Sequence, residues 1–265
     1  MIQDINKNYN LNYKYDTKPS LDDYVLCYSN KGFYLINNNI HKYKDIKYNN
    51  IIYGFMVDDI KYYICLDNIT ESHPINKYRD LEKPLGFIII TGFHFYNFYL
   101  NNKYCGKCGN KLKFGTIERT MICECGNTIY PKISPAVIVG IINKNKILLT
   151  KYSVGYSKYA LVAGFNEIGE TLEDTVKREV YEEVGLHIDN IRYYKSQPWG
   201  QSGSLLSGFF VDCVGDTNPK LLDGELKEAT WFDRTMLNEI ENDGVSLTRE
   251  MIAYFKENGD KFWLD

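Results

Sequence analysis

Short apolar runs broken by polar turns dominate the first part of the chain. YVLCY, GFYLI, IIYGFMV, YYICL and GFIII each read as β-strands, with NNN at 37–39 and DD at 58–59 among the turns between them. Residues 1–101 hold no cluster of catalytic residue types and are read as an N-terminal α+β domain. A unit punctuated by Gly and Cys follows at 102–131, and from Ile133 the pattern changes again. ISPAVIVGII reads as a buried strand, NKNK as a polar turn and ILLTKY as a second strand, which predicts a hairpin. Thr171 and Asp174 of TLED have capping-box spacing, and Leu172, Val176, Val180 and Val184 recur on one helical face. Gly185 suits the end of that helix. IRYYKSQPW, LLSGFFVDCV and EATWFD predict three more strands. A last helix runs from Ser246, with Leu247, Met251, Ile252 and Phe255 toward the core and Gly259 ending it. The pattern thus divides the chain into 1–101, 102–131 and 132–265, with no internal repeat and no low-complexity linker.

Composition narrows the class. At 265 residues the chain has room for two modest domains, and its 44% hydrophobic and 25% charged content suits a soluble globular protein. A net charge of −3 makes no electrostatic case for nucleic acid or a membrane surface as the main partner. No apolar run approaches the roughly 20 residues that span a bilayer. MIQDINKNYNLNYKYD lacks the apolar core of a secretion signal, which predicts a cytoplasmic protein. The 23 Tyr are spread throughout, so a single Tyr carries little functional weight.

Seven Cys fall into two groups. Cys27, Cys65 and Cys213 stand apart in apolar surroundings, where a free thiol packs as a small hydrophobe. Cys105, Cys108, Cys123 and Cys125 form two pairs that can wrap one zinc through four thiolates, and the metal then supplies folding energy to a segment with little core. The second pair is C-x-C, one residue shorter than usual, so its turn is expected to be distorted or one ligand poorly placed. A ribbon held by packing alone is the other reading. Lys107, Lys111, Lys113 and Arg119 lie nearby, but Glu118 and Glu124 offset them, so a nucleic-acid patch is weakly supported.

REVYEEVG concentrates chemistry on one helix. Glu179, Glu182 and Glu183 share a face, where like charges repel by roughly 0.2–0.5 kcal/mol per pair. Something cationic must offset that repulsion. Arg178 can pair with a neighbouring glutamate, and carboxylates so clustered make an oxygen-rich site for Mg²⁺ or Mn²⁺. A solvated, charged helix face is the plainer alternative.

Read with what precedes it, the stretch becomes GFNEIGETLEDTVKREVYEEVGL, Gly164 to Leu186, which matches G-x5-E-x7-R-E-U-x-E-E-x-G-U at every fixed position. It resembles the box of the Nudix hydrolases. That resemblance implies an α+β fold, a Nudix α/β/α sandwich with a mixed sheet, preceded here by the zinc ribbon and the N-terminal α+β domain. It implies Glu179 and Glu183 as ligands of catalytic Mg²⁺ or Mn²⁺ with the backbone carbonyl of Ala163, Glu182 assisting and Arg178 orienting. Gly164 leaves room for the loop beside the metal. GELKEATWF is similar to the family's further carboxylate segment, which makes Glu225 a metal ligand or general base, with Glu228 as the alternative.

The four-Cys ribbon before YPKISPAVIV, the LVAGF loop, SQPW after the box and SLTREMI near the end resemble the NADH pyrophosphatase (NAD⁺ diphosphatase, NudC-like) branch over about residues 102–255. The branch implies hydrolysis of NAD(H) to AMP and nicotinamide mononucleotide, in some members removal of NAD caps from RNA, a homodimer, and structural zinc. Another nucleoside diphosphate derivative, such as ADP-ribose or a dinucleoside polyphosphate, is the alternative substrate, and a zinc-ribbon nucleic-acid-binding module a third reading. Carried over by position, substrate contacts fall on Glu118, Tyr130, Gln197, Pro198, Trp199, Gly200, Gln201, Ser202, Gly203, Ser204 and Thr248. The branch signature is SQPWPFPxS, whereas this chain has SQPWGQSGS. Gln201 removes a stacking ring, and Gly200 is expected to loosen a loop that prolines would stiffen.

Overall fold

The computed structural model describes every residue except 68, 71, 156, 223 and 260–265, so the end of the 132–265 range lies outside the described residues. Two units emerge. One holds residues 2–133 with 200–203, and the other holds 134–199 and 204–265 with Met1.

In the first unit, four of the five predicted strands, YVLCY, GFYLI, IIYGFMV and YYICL, join three short ones in a mixed sheet. Strands β1 (Tyr9–Asn10), β2 (Tyr24–Ser29), β3 (Gly32–Tyr34), β4 (His41–Lys42), β5 (Ile51–Val57), β6 (Ile60–Cys65) and β7 (His73–Pro74) lie in the order β1-β5-β6-β2-β3-β7, with β4 on β2. Asp58 sits at φ 51° in the turn that reverses β5 into β6, a conformation Asp tolerates better than most residues. Because β2 and β6 run parallel in register, Cys27 and Cys65 come together in one buried cluster with Val25, Tyr53, Tyr63 and Ile69. They are buried hydrophobes, as the composition suggested, but they are not apart.

GFIII is not a strand. Residues 86–90 lie inside helix α1 (Lys83–Asn101), which Pro84 opens in its first turn. A short apolar run is equally consistent with a strand and with a helix buried on most sides, so period gave no way to choose. Tertiary contacts do: the buried Tyr28 hydroxyl donates to the Ile89 carbonyl at 2.7 Å, and a Cβ at Gly92 would overlap that hydroxyl. The ribbon adds β8 (Lys113–Phe114), β9 (Met121–Ile122) and β10 (Thr128–Ile129), antiparallel in the order β10-β9-β8.

The second unit is a three-layer sandwich. Strands β11 (Ser134–Asn143), β12 (Lys146–Tyr152), β13 (Val162–Phe165), β14 (His187–Trp199), β15 (Ser204–Val214) and β16 (Leu226–Asp233) form a sheet ordered β14-β15-β11-β12-β16, with β13 on β11. The β11–β15 pair is parallel and the others are antiparallel, so the sheet is mixed. The predicted hairpin is β11–β12, closing at Asn143 and Lys146. Side chains alternate along β11. Val137, Val139 and Ile141 pack with Val176, Val180 and Val184 of helix α2 (Leu172–Val184), whereas Ile138 and Ile142 pack with Leu247, Met251, Ile252 and Phe255 of helix α3 (Leu247–Asn258). Burial on both faces explains why ISPAVIVGII reads as a continuous apolar run. Among the described residues no helix is long and apolar enough to cross a membrane.

Candidate active site and metal centre

The carboxylate face is built by one well-capped helix. Thr171 Oγ1 accepts the Asp174 N–H at 3.1 Å while Asp174 Oδ2 accepts the Thr171 N–H, and Gly185 closes the helix at φ 64°. The apolar stripe anchors α2 to the sheet, with Arg178 reaching the Phe165 carbonyl at the end of β13 and the Glu179 carboxylate lying against Gly164.

Arg178 organises that face. Its Nε and Nη2 grip Glu170 through both carboxylate oxygens, at 2.6 and 2.9 Å. Nη1 reaches Glu179 at 2.8 Å and Glu182 at 3.0 Å, and Nη2 also bonds the Phe165 carbonyl at 2.9 Å. One planar guanidinium therefore offsets the repulsion among three carboxylates and ties the loop to the helix. The Arg178 bonds hold the Glu170 carboxyl down to about 2. Burial raises the Glu179 carboxyl above its ordinary range, against the pull of Arg178. Glu183 is 2% exposed, whereas the Glu182 side chain is half open to solvent.

Gly164 has a sharper role than clearance for a loop. It is paired with Val137 in the sheet, and a Cβ on it would overlap the Glu179 carboxylate. Ala163, paired with Ile138, is the neighbouring residue whose carbonyl the resemblance offers to a metal.

Of the two candidate outer carboxylates, Glu225 lies with the cluster. Its charge bears on both Glu179 and Tyr152, and its carbonyl accepts the Ser153 N–H at 2.7 Å. Glu228 is engaged elsewhere, accepting from Tyr159 at 2.6 Å and from Lys151 at 3.0 Å. Two contributors escaped the sequence reading. Glu170 was legible as a fixed position of the box. Tyr152, its phenol pushed up to about 12 by burial and by Glu183, Glu225 and Glu179, left no signal in so Tyr-rich a chain.

The substrate positions carried over from the resemblance divide. Glu118 and Tyr130, in the first unit, are hydrogen-bonded to each other at 2.9 Å. Gln197 is fully buried, donating to the Val245 carbonyl and accepting the Leu247 N–H, both at 2.7 Å. Its side chain pins the start of α3. Pro198 and Trp199 pair with Leu205 and Ser204 at the end of β14, and Thr248 is half-buried in the first turn of α3. Gln201 and Ser202 are exposed.

Gly200 does not loosen its turn. It is buried, and a Cβ there would overlap the Ile90 carbonyl of α1, in the same unit. Gly203, at φ 69°, lies beside His94. Gly200→Pro, which restores the branch residue, is therefore expected to destabilise the protein by about 1–3 kcal/mol, the usual scale of overpacking. A thermal melt checks this, and an unchanged midpoint would mean that the close approach is not there.

The ribbon cysteines converge. All four Sγ atoms lie within 4.8 Å of one another, with Cys105–Cys125 at 3.8 Å and Cys108–Cys123 at 3.4 Å. A thiolate tetrahedron with Zn–S bonds of about 2.3 Å has edges of about 3.8 Å, so the residues fit zinc. The short C-x-C pair is accommodated by Gly126 at φ 86°, and Cys125 is not displaced. Asn127, another residue the sequence reading missed, donates to Cys105 Sγ at 3.3 Å and draws that thiol down to about 6. Two of the ribbon's basic residues are engaged within the protein: Lys113 pairs with Glu124 at 2.7 Å, and Arg119 bonds the Tyr53 and Gly54 carbonyls and the Tyr99 hydroxyl.

Comparison with known proteins gives a consistent picture. The NUDIX domain family model matches residues 132–255. The protein named NAD-capped RNA hydrolase NudC of Haemophilus influenzae is 36% identical over 179 residues, covering 66% of this chain and 64% of that protein. The protein of the same name in Pectobacterium atrosepticum is 34% identical over 191 residues, covering 70% and 72% respectively. The match thus spans somewhat under two thirds of the Haemophilus protein's length. A crystal structure of a NUDIX hydrolase from Nitrosomonas europaea superposes with a TM-score of 0.51 at 24% identity, covering 60% of this chain and 92% of that one, which shows the shared fold.

Proposed function

Because the chain belongs to the Nudix family, in the branch of the NudC relatives, we propose that it hydrolyses the pyrophosphate of NAD(H) to AMP and nicotinamide mononucleotide. The same reaction would remove an NAD cap from RNA, the substrate that the relatives' names record. The observation that carries this reading is the face organised by Arg178, with Glu179, Glu182 and Glu183 on one helix and Glu225 brought to them from another element.

Glu179, Glu183, Glu225 and the Ala163 carbonyl would hold Mg²⁺ or Mn²⁺, since hard oxygen donors suit those ions. A divalent ion so bound neutralises charge on a diphosphate and lowers the pKa of coordinated water. Arg178 keeps Glu179 and Glu182 oriented, and Glu225 would accept a proton from water or complete the ligand set. Substrate contacts are assigned to Glu118, Tyr130, Pro198, Trp199, Gln201, Ser202, Gly203, Ser204 and Thr248. Gln197 and Gly200 complete the proposed set, with the Gln197 side chain already engaged at the start of α3. We take the enzyme to work in the cytoplasm as a homodimer with structural zinc in each chain. ADP-ribose and dinucleoside polyphosphates are the competing substrates, because Gln201 stands where the branch has a stacking ring.

The test is a panel of NADH, ADP-ribose and a dinucleoside polyphosphate incubated with Mg²⁺ or Mn²⁺, with released AMP quantified. NADH should be cleaved to AMP and the mononucleotide. No AMP from NADH, or far faster cleavage of another member, would reject the assignment. For the ribbon, Asn127→Leu should weaken zinc retention about 10–100-fold, the usual effect of losing a hydrogen bond to a ligand. Competition with a chromogenic chelator measures it, and equal retention would show that the Asn127 amide does not tune the thiolate.

A further inference from the structure

A recess lies in the first unit, lined by residues that have no part in the proposed chemistry. Its volume is about 570 Å³, within the usual range for small-molecule sites. Tyr15, Tyr43 and Phe114 supply aromatic surface, Asn49 and Asn50 supply amides, and Lys18 supplies a cation at the wall. The recess is anchored rather than incidental. Asp67 Oδ2 accepts the backbone N–H groups of both Asn49 and Asn50 at 3.2 Å, and the Tyr63 hydroxyl donates to the Lys18 carbonyl at 3.1 Å. Tyr15 and Phe114 approach with ring centroids 6.4 Å apart.

This chemistry selects its occupant. A phosphate-binding site would concentrate positive charge, but here Lys18 is accompanied by Asp16 in the lining. Aromatic faces beside primary amides suit a flat, neutral heterocycle with hydrogen-bonding edges. Rings stack on its face, and Asn side chains can donate to and accept from its edge. Single-stranded RNA presents such bases unpaired, and stacking of a base on aromatic side chains with hydrogen bonds to its edge is how such bases are read. We infer that this recess binds one unpaired base of single-stranded RNA, so that the N-terminal unit contributes to capture of the RNA body. The choice of RNA rests on the proposed action on NAD-capped transcripts; the base-binding chemistry of the recess does not.

The test uses the full-length protein and a short, unstructured, fluorescently labelled RNA without a cap, which offers no pyrophosphate to cleave. Anisotropy should show binding that Tyr15→Ala weakens about tenfold, within the range of losing one stacked base, while Tyr15→Phe preserves it. Tyr15 is exposed, so its truncation does not threaten the core, and Asn49→Ala provides a second variant that should also weaken binding. Kinetics separate this inference from the proposed function. Tyr15→Ala should leave kcat and KM for NADH unchanged and raise KM for NAD-capped RNA by the same factor as the binding loss. RNA binding insensitive to both Tyr15→Ala and Asn49→Ala would overturn the inference. So would dependence on Tyr15 of binding to free AMP but not to RNA. Failure to hydrolyse NADH, with RNA binding still dependent on Tyr15, would reject the proposed activity and leave the recess assignment standing.

Discussion

Glu183→Gln is expected to lower turnover of the pyrophosphate substrate by about 10³-fold or more, equivalent to roughly 4 kcal/mol of barrier at 1.36 kcal/mol per decade. Glu183 is 2% exposed on the sheet-facing side of α2, with Val180 and Val184 beside it in the core. Gln keeps its shape and removes its charge. The variant should therefore fold, and the loss should fall on kcat, because an amide oxygen neither neutralises a divalent cation nor supports deprotonation of its water. Thermal stability should hold or rise, since the substitution also removes a carboxylate from a crowded face. A melt alongside initial rates at saturating Mg²⁺ makes the comparison. Wild-type turnover in a folded variant would refute Glu183 as a metal ligand.

Gly164→Ala should be nearly as damaging from a position that carries no functional group. The new Cβ would occupy the place of the Glu179 carboxylate, and neither partner can yield easily. Gly164 is held by its pairing with Val137, and Glu179 by the bond to Arg178 at 2.8 Å. Displacing the carboxylate by about 1 Å can reduce rate about 10²-fold. The concentration of Mg²⁺ or Mn²⁺ needed for half-maximal rate should rise as well, which a defect of folding alone would not produce. A variant with normal metal activation and normal kcat would show that the loop relaxes around the methyl.

Both predictions were half-visible in the sequence. The box spacing placed the glutamates on one face, and Thr171, Asp174 and Gly185 delimited the helix, because capping and periodicity are local properties. The need for a cation was legible too. What spacing could not show was that Arg178 would grip Glu170 through two bonds while touching Glu179 and Glu182 with a third nitrogen. That depends on how β13 and its following loop fold back onto α2. Likewise Glu225 and Glu228 were inseparable on spacing. Pairing of β16 with β12 resolved them, by setting Glu228 opposite Lys151 and leaving Glu225 at the strand's entrance with the site.

The misread elements share a physical cause. Gly86–Ile90 was assigned to a strand because five apolar residues look alike in either conformation, and only their neighbours make them helical. Gly200 was taken for flexibility, yet its missing side chain accommodates a helix carbonyl distant in sequence. The Gln197 side chain shows the same dependence on distant segments, since it bonds the Val245 carbonyl and the Leu247 N–H, 48 and 50 residues along the chain. By itself, the sequence determined the family box with its carboxylates, the four-cysteine cluster and most strands of the sandwich. Each of these is written in residue types at short, regular intervals. Tertiary structure alone decided which carboxylate faces which cation, where a backbone must come too close for a Cβ, and which polar side chains serve the fold, since those depend on segments that meet only after folding.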